Sequence, residues 1–396
     1  MAAPERRQRG GVSSAILLFS AFSSCFSLFS GRDAFKRKLL VEMNPGSSSP
    51  PPDFDLLHVR AVGDNDTLHF LFCSQGAPTL LLVHTNTTAS TVAVNWTRFE
   101  DRNHSGGLQV EPESSILHST AVIFSRLLEY DDANNTAEPQ TDFFPAYDLQ
   151  DVSWSRLNLS GPNALLCGAV ANGSFCLQLS VFETEGRGQA LPRLLHTANS
   201  SQLNVRLDGV LPRSSHSRFL LELQAVGGAY PPSRVEAHRS IDDEFTPTIF
   251  KVSLWVPSEN SSSDVLGFLQ WKPVAYRQPA SALEDATPCR NSAPLPQSGE
   301  AVKAASGLVR AFYTQPEAFG LNVSFGLAGE PFYNSTGFLS WTALLGSGLP
   351  PVDSISPLVL SMMVFGLGTP TLLLLMGGIY VAVRKRPVTV AYEPVS

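Results

Sequence analysis

The feature that most constrains this chain is a thirty-residue stretch with no charged side chain. Ser354–Val383 reads SISPLVLSMMVFGLGTPTLLLLMGGIYVAV and is followed by Arg384, Lys385 and Arg386, then ten more residues. A helix rises about 1.5 Å per residue, so about 20 apolar residues cross a bilayer core. A buried core helix of this length would keep a polar face. Residues 354–383 are therefore expected to form a transmembrane helix. Lys and Arg collect on the cytoplasmic side, so residues 384–396 become a cytosolic tail. Everything before Ser354 then lies across the membrane.

The amino end agrees with that orientation. Arg6, Arg7 and Arg9 precede an uncharged run from Val12 to Phe29. A basic start before an apolar core is the secretory signal pattern, placed at residues 1–31 with cleavage near Ser30–Gly31. The Ser- and Phe-rich run leaves an uncleaved anchor as the alternative. The lumenal remainder is long enough for a sizeable core and is divided into two domains. The best linker is Glu183–Pro192 (ETEGRGQALP), giving residues 32–186 and 187–353. Net charge is only −7, and no basic block occurs outside the termini. Nucleic-acid binding therefore has no electrostatic footprint. Lys36, Arg37 and Lys38 read as a solvated start.

N-x-S/T acceptors are dense. They occur at Asn65, Asn86, Asn95, Asn103, Asn134, Asn158, Asn172, Asn199, Asn260, Asn322 and Asn334, which is eleven of sixteen Asn. Chance alone gives about three, since Ser and Thr make up about a sixth of the chain. All eleven fall on the lumenal side, so the excess supports the topology independently. Each occupied acceptor must lie at the surface.

Four cysteines remain after Cys25 in the signal: Cys73, Cys167, Cys176 and Cys289. Cys167 and Cys176 flank Asn172-Gly173, a hairpin signal, so they form a possible disulfide. Cys73 and Cys289 fit either a long-range bridge or two buried thiols. No CxxC or zinc spacing occurs, so neither a metal nor a cofactor is indicated.

Short β-type runs separated by Gly, Pro, Ser and Asn fill the lumenal part: Leu56–Val62, Thr67–Cys73, Thr79–Thr85, Thr91–Trp96, Leu165–Val170, Phe175–Phe182, Gln202–Leu207, Phe219–Ala225, Thr248–Val256, Val265–Trp271, Leu308–Tyr313 and Leu321–Leu327. Arg60, His69 and Asn95 face opposite to Val59, Phe70 and Val94. Ala121–Tyr130 fits a strand or a short helix, and Arg277–Glu300 reads as a long excursion. The expected class is mainly β, with lumenal β-sandwich-like domains and one carboxy-terminal transmembrane helix.

Catalytic motifs were sought without success. There is no GxSxG elbow, HExxH or P-loop. The eight His are scattered, His196 reads as a core or turn histidine, and Gly346-Ser347-Gly348 as a membrane-proximal turn. Ile241-Asp242-Asp243-Glu244 lacks calcium-loop spacing and reads as a turn or solvated face. In the tail, Tyr392 and Val395 fit the tyrosine-based pattern that a clathrin adaptor reads in extended form, helped by Pro394. Gly366, Gly368, Gly377 and Gly378 would let another helix approach the span, and Pro370 would kink it.

Longer runs carry a family resemblance. RLLHTANSSQLNV (Arg193–Val205), HRSIDDEFTPTIF (His238–Phe250), FLQWKPVAYRQ (Phe268–Gln278) and FLSWTALLGSGLPPVDSISPLVL (Phe338–Leu360) resemble the glycosylated lysosomal membrane protein family. So do LLHVRAVG (Leu56–Gly63) and STVAVNWT (Ser90–Thr97). The resemblance spans nearly the whole chain after the signal. It implies a type I lysosomal membrane protein that acts as non-catalytic accessory subunit of a lysosomal major-facilitator transporter, shielding it from lumenal proteolysis. Gly320 stands where the family has a cysteine, which puts a disulfide using Cys289 in doubt. Two other classes are carried alongside: a membrane-anchored lumenal hydrolase, and a nuclear transcription co-activator, which the signal, the span and the acceptor excess oppose. The apolar stripe Phe338–Pro351 is the expected partner surface.

Overall fold

The computed structural model describes residues 35–49, 51–101, 105–139, 143–228, 230–240, 249–258, 266–330, 332–353 and 357–384. The signal at 1–31, Asn103, Ile241–Glu244, Asn260, the tail from Lys385 onward and with it Tyr392 and Val395 lie outside the described residues.

The strands in chain order are β1 Lys38–Met43, β2 Leu56–Val62, β3 Thr67–Cys73, β4 Thr79–Thr85, β5 Thr91–Val94, β6 Leu108–Glu111, β7 Ile116–Asp131, β8 Tyr147–Asp148, β9 Asn158–Ser160, β10 Asn163–Val170, β11 Gly173–Val181, β12 Gly186–Arg187, β13 Leu195–His196, β14 Ser200–Asp208, β15 Ser217–Gly227, β16 Pro232–Arg239, β17 Lys251–Pro257, β18 Gly267–Trp271, β19 Val274–Tyr276, β20 Ala286–Asn291, β21 Leu295–Gln297, β22 Glu317–Phe325 and β23 Phe338–Ser347. All their pairings are antiparallel, so this is mainly β architecture. The first sheet runs β1-β2-β3-β4-β7-β15-β22, with β20 and β21 on the far edge of β22. The second runs β9-β10-β11-β14-β23-β18-β17-β16. β20 switches sheets, pairing with β19 through Thr287 and with β22 through Cys289.

The two sheets stack as a sandwich. Val59, Phe70, Leu82 and Leu221 of the first meet Leu177, Val205, Trp255 and Trp341 of the second in one core. Trp271 and Trp341 meet edge to face at 6.0 Å, the arrangement favoured by the ring quadrupole. Strands on both sides of the 186/187 division contribute to each sheet, since β11 pairs with β14 along its length.

The first sheet is covered on its other face too. The helices Gly299–Ala305 and Gly307–Phe312 lay Val302, Leu308 and Val309 against Leu71, Leu81 and Ile123. This explains why β3 and β4 are buried at every position: a sheet covered on both faces loses polar alternation. His69 does face away from Phe70, yet it is buried, with its ring nitrogens at His58 and Ser90.

Several elements differ from expectation. Leu308–Tyr313 is helical, because Ser306 caps it by accepting the Val309 N–H at 3.2 Å and its apolar residues meet the sheet at helical spacing. Ala121–Tyr130 is the middle of β7. Phe338–Ser347 is a central strand buried along its whole length, so it is no partner surface. Only Leu349 and Val352 beyond it, at 79 % and 78 %, are strongly exposed. Arg37 is a buried, paired cation and not part of a solvated start.

Candidate membrane tether and glycan-bearing surface

The chain leaves the sandwich at Ser347 and enters the helix Pro357–Arg384. Residues 348–353 beyond the strand are pinned. Gly348 N–H donates to the Leu266 carbonyl at 3.0 Å, and the Gln270 amide donates to the Pro351 carbonyl at 3.1 Å. Asp353 closes the clamp: its carboxylate lies 3.2 Å from Lys272 Nζ and 2.8 Å from an Arg187 guanidinium nitrogen. The Lys272 and Asp353 side chains are 2 % and 5 % exposed, and the Ser240 hydroxyl donates to the same carboxylate. Buried charges persist only when paired and hydrogen-bonded, as here. Pro357 is four residue steps beyond Asp353, a reach of at most about 14 Å. The end of the sandwich around Lys272 therefore sits next to the bilayer.

The span itself matches a membrane. Val359–Ala382 is 24 residues with mean hydropathy 2.0, and its apolar side chains point outward. A Cβ built on Gly366, Gly368, Gly377 or Gly378 meets nothing within 4 Å, so this helix offers an open small-residue surface. Pro370 sits inside it, and the Thr371 hydroxyl donates to the Leu367 and Gly368 carbonyls nearby.

Just inside the clamp, a polar network ties the sheets together. His84 on β4 has its two ring nitrogens 2.8 Å from Asp66 Oδ2 and 2.8 Å from Ser347 Oγ. Arg37 grips the same Asp66 with two N–H groups at 2.8 and 2.6 Å and donates a third to Asn199 Oδ1. Burial alone would raise the Asp66 carboxyl; hydrogen bonds from His84 and Arg37, with the Arg37 charge, hold it well below the usual carboxylate range. Asp, His and Ser in line are the residue types of a hydrolytic triad. Here the hydroxyl is turned into the sandwich and Ser347 is 1 % exposed, so no substrate reaches it.

Four His that are scattered in sequence come together in pairs. His58 and His69 stack at 5.2 Å with ring nitrogens 3.0 Å apart, and His84 meets His118 edge to face at 5.6 Å. Burial, reinforced by Arg60, lowers His58 to about 4. Burial, then His58 and Arg60, lowers His69 to about 3. Burial and His84 lower His118 to about 3. His196 stacks on Phe182 and is lowered to about 4 by burial. At His58, His69, His118 and His196 the native fold therefore favours the neutral ring.

Asn65, Asn86, Asn95, Asn134, Asn158, Asn172 and Asn334 are exposed, while Asn199 and Asn322 are half-buried. Asn158 lies on β9, and the other exposed acceptors lie on the connections between strands. Asn95 also caps the short helix Trp96–Glu100, accepting the Arg98 N–H. The hairpin turn is centred on Ala171 and Asn172, both at positive φ, one residue earlier than Asn172-Gly173. Gly173 opens β11 instead, where a Cβ would strike the backbone of Gly209 and Val210. Cys167 and Cys176 face each other in register and form a disulfide. Cys73 and Cys289 are buried thiols in separate cores, so they do not pair; burial pushes both up to about 12. The register sets Cys289 opposite Phe325, whereas Gly320 faces Leu295 and Gln224, so position 320 does not face Cys289.

A profile of the family described as "Glycosylated lysosomal membrane protein" matches residues 55–388. The chain belongs to the glycosylated lysosomal membrane protein family. The zebrafish (Danio rerio) protein of that description is 50 % identical over 399 residues, 96 % of this chain and 97 % of the relative. The Xenopus laevis B form is 40 % identical over 91 % of this chain and 93 % of its own length. The human (Homo sapiens) protein is 39 % identical, with 88 % of each chain covered. Like the family, this is a lysosomal membrane glycoprotein with a single carboxy-terminal span. Of the residues that build the tether, Asp353, Lys272 and Arg187 were missed in the sequence. The available signal was a lone carboxylate just before an apolar span.

Proposed function

We propose that the chain is a non-catalytic accessory subunit of a lysosomal major-facilitator transporter, which it stabilises and protects from lumenal proteolysis. The observation that carries this reading is the Asp353 clamp. It holds the chain to the sandwich up to Asp353, close in sequence to a helix with an open glycine surface. A partner helix packing beside Gly366 and Gly377 would place the partner's lumenal loops beneath the sandwich. Exposed acceptors on the connections between strands then supply a glycan coat over those loops. The buried Ser347 speaks against the anchored hydrolase, because this hydroxyl, aligned with His84 and Asp66, has no access to substrate.

The same reading assigns Tyr392 and Val395 to a clathrin adaptor that delivers the complex to lysosomes. The test is co-purification in mild detergent from cells expressing the tagged full chain, with Tyr392→Ala as the control for location. A stoichiometric multispan transporter in the eluate, with a shorter half-life in cells lacking the chain, is the expected result. An unchanged transporter half-life in those cells sinks the proposal.

A further inference from the structure

Two loops roof a polar pocket on the outer face of the second sheet. Its floor comes from three adjacent strands: Gln178 on β11, Asn204 and Arg206 on β14, and Ser340 on β23. The register sets Gln178 opposite Asn204 and Arg206 opposite Ser340, so polar groups repeat at the inter-strand spacing of about 4.8 Å. Residues 189–193 and 279–284 supply the walls, and the cavity measures about 590 Å³. That is the size class of a small-ligand site.

Arg206 is the cation of the floor. Arg37, Arg213 and Arg218 each meet a carboxylate, Asp66, Glu129 and Asp132, whereas Arg60 donates to the Thr88 carbonyl. The half-buried Arg206 donates one N–H to the neutral Gln178 amide at 3.1 Å, and its Nε is buried with no partner. Glu284 at the rim is the one carboxylate among the lining residues, and it forms no ion pair with Arg206. An arginine left with donors in a polar cavity is suited to an anion, because its planar fork matches a carboxylate. The surrounding amides of Gln178, Gln189 and Asn204 both donate and accept, which suits ring hydroxyls.

We propose that this pocket binds an acidic saccharide, with Arg206 taking the sugar carboxylate and the amide ladder its hydroxyls. Arg206 on the floor and Arg193 in the wall make two cations against the single carboxylate of Glu284, a balance that suits an anion. Leu191 and Leu283 offer apolar surface to the C–H faces of the ring. The sugar is either the terminus of a glycan or a free acid, and the two share this chemistry.

The test uses the full chain in detergent, produced with high-mannose glycans so that it carries no acidic sugar of its own. It is titrated with N-acetylneuraminic acid, glucuronic acid and a sialylated biantennary glycan, and in parallel with glucose, lactose and a dipeptide. The acidic sugars are expected to bind at least about tenfold more tightly than the neutral ones. Tighter binding of the glycan than of free N-acetylneuraminic acid assigns a glycan terminus; equal binding assigns the free sugar. Arg206→Gln, which removes the charge, should weaken acidic-sugar binding about tenfold or more with the melting temperature unchanged. Equal binding of acidic and neutral sugars, preference for the dipeptide, no binding of acidic sugar at millimolar concentration, or unchanged binding by Arg206→Gln would each overturn the proposal.

Discussion

At Asp353 one carboxylate meets two cations, Lys272 and Arg187, at the membrane end of the second sheet. On the same sheet, Arg206 meets only a neutral amide. The Asp353 carboxylate is withdrawn from water and compensated, whereas Arg206 is half-buried in a polar cavity and meets no carboxylate. Compensation is what a structural joint needs, since burying an unpaired charge is costly. An uncompensated cation in a roomy polar cavity is affordable only while water can reach it, and it leaves attraction in hand for a ligand. The comparison separates charges that hold the molecule together from charges that face outward to chemistry.

Mutation sharpens that contrast. Asp353→Ala strips two cations of this carboxylate and should cost about 3–5 kcal/mol of stability, read as a fall in denaturation midpoint. Little or no fall would reduce the clamp to a surface contact. The Cys167→Ala, Cys176→Ala pair opens a short hairpin loop and should cost about 2–3 kcal/mol in the same assay.

The buried histidines give a smaller, pH-dependent effect. Their native pKa values lie below the unfolded value of about 6.5, so the unfolded chain takes up protons first. Stability that is present at neutral pH is therefore lost as pH falls from about 6.5 toward 4. For His118 alone the loss is about 2 kcal/mol at pH 5. His118→Gln should flatten the stability curve between pH 7 and 4, and an unaltered slope would show that the ring titrates normally. Arg206→Gln completes the series with the smallest effect on stability, about 0.5 kcal/mol or less in either direction. A loss as large as that at Asp353 would make Arg206 a structural residue and erase the comparison.

Much of the sandwich was legible in the sequence, because strands such as β2 and β11 place apolar residues on one face at period 2. The hairpin around Asn172 and its cysteine pair were legible from turn chemistry, since facing positions follow from a two-residue turn. Leu308–Tyr313 was not, because a six-residue apolar run fits either a strand or a buried helix turn. Phe338–Ser347 misled because its apolar run stands beside the span. Its burial depends on β14 and β18, distant in sequence, pairing on either side. The same distance hid the tether: Arg187, Lys272 and Asp353 meet only after the sheet is assembled. The histidine pairs were hidden likewise, as His58 and His69 lie on neighbouring strands and His84 and His118 face each other across β4 and β7.

The most direct test of the accessory-subunit account addresses rigidity itself. A long Gly-Ser insertion between Asp353 and Pro357 leaves the clamp, the glycans, the span and the tail intact but frees the sandwich from its attitude above the membrane. The measurement is the lysosomal half-life of the co-purifying transporter in cells expressing this variant in place of the natural chain. The account predicts that the transporter is degraded about as fast as in cells lacking the chain, although the variant still reaches lysosomes. A transporter as long-lived as with the natural chain would contradict the claim that the fixed position of the sandwich provides the protection.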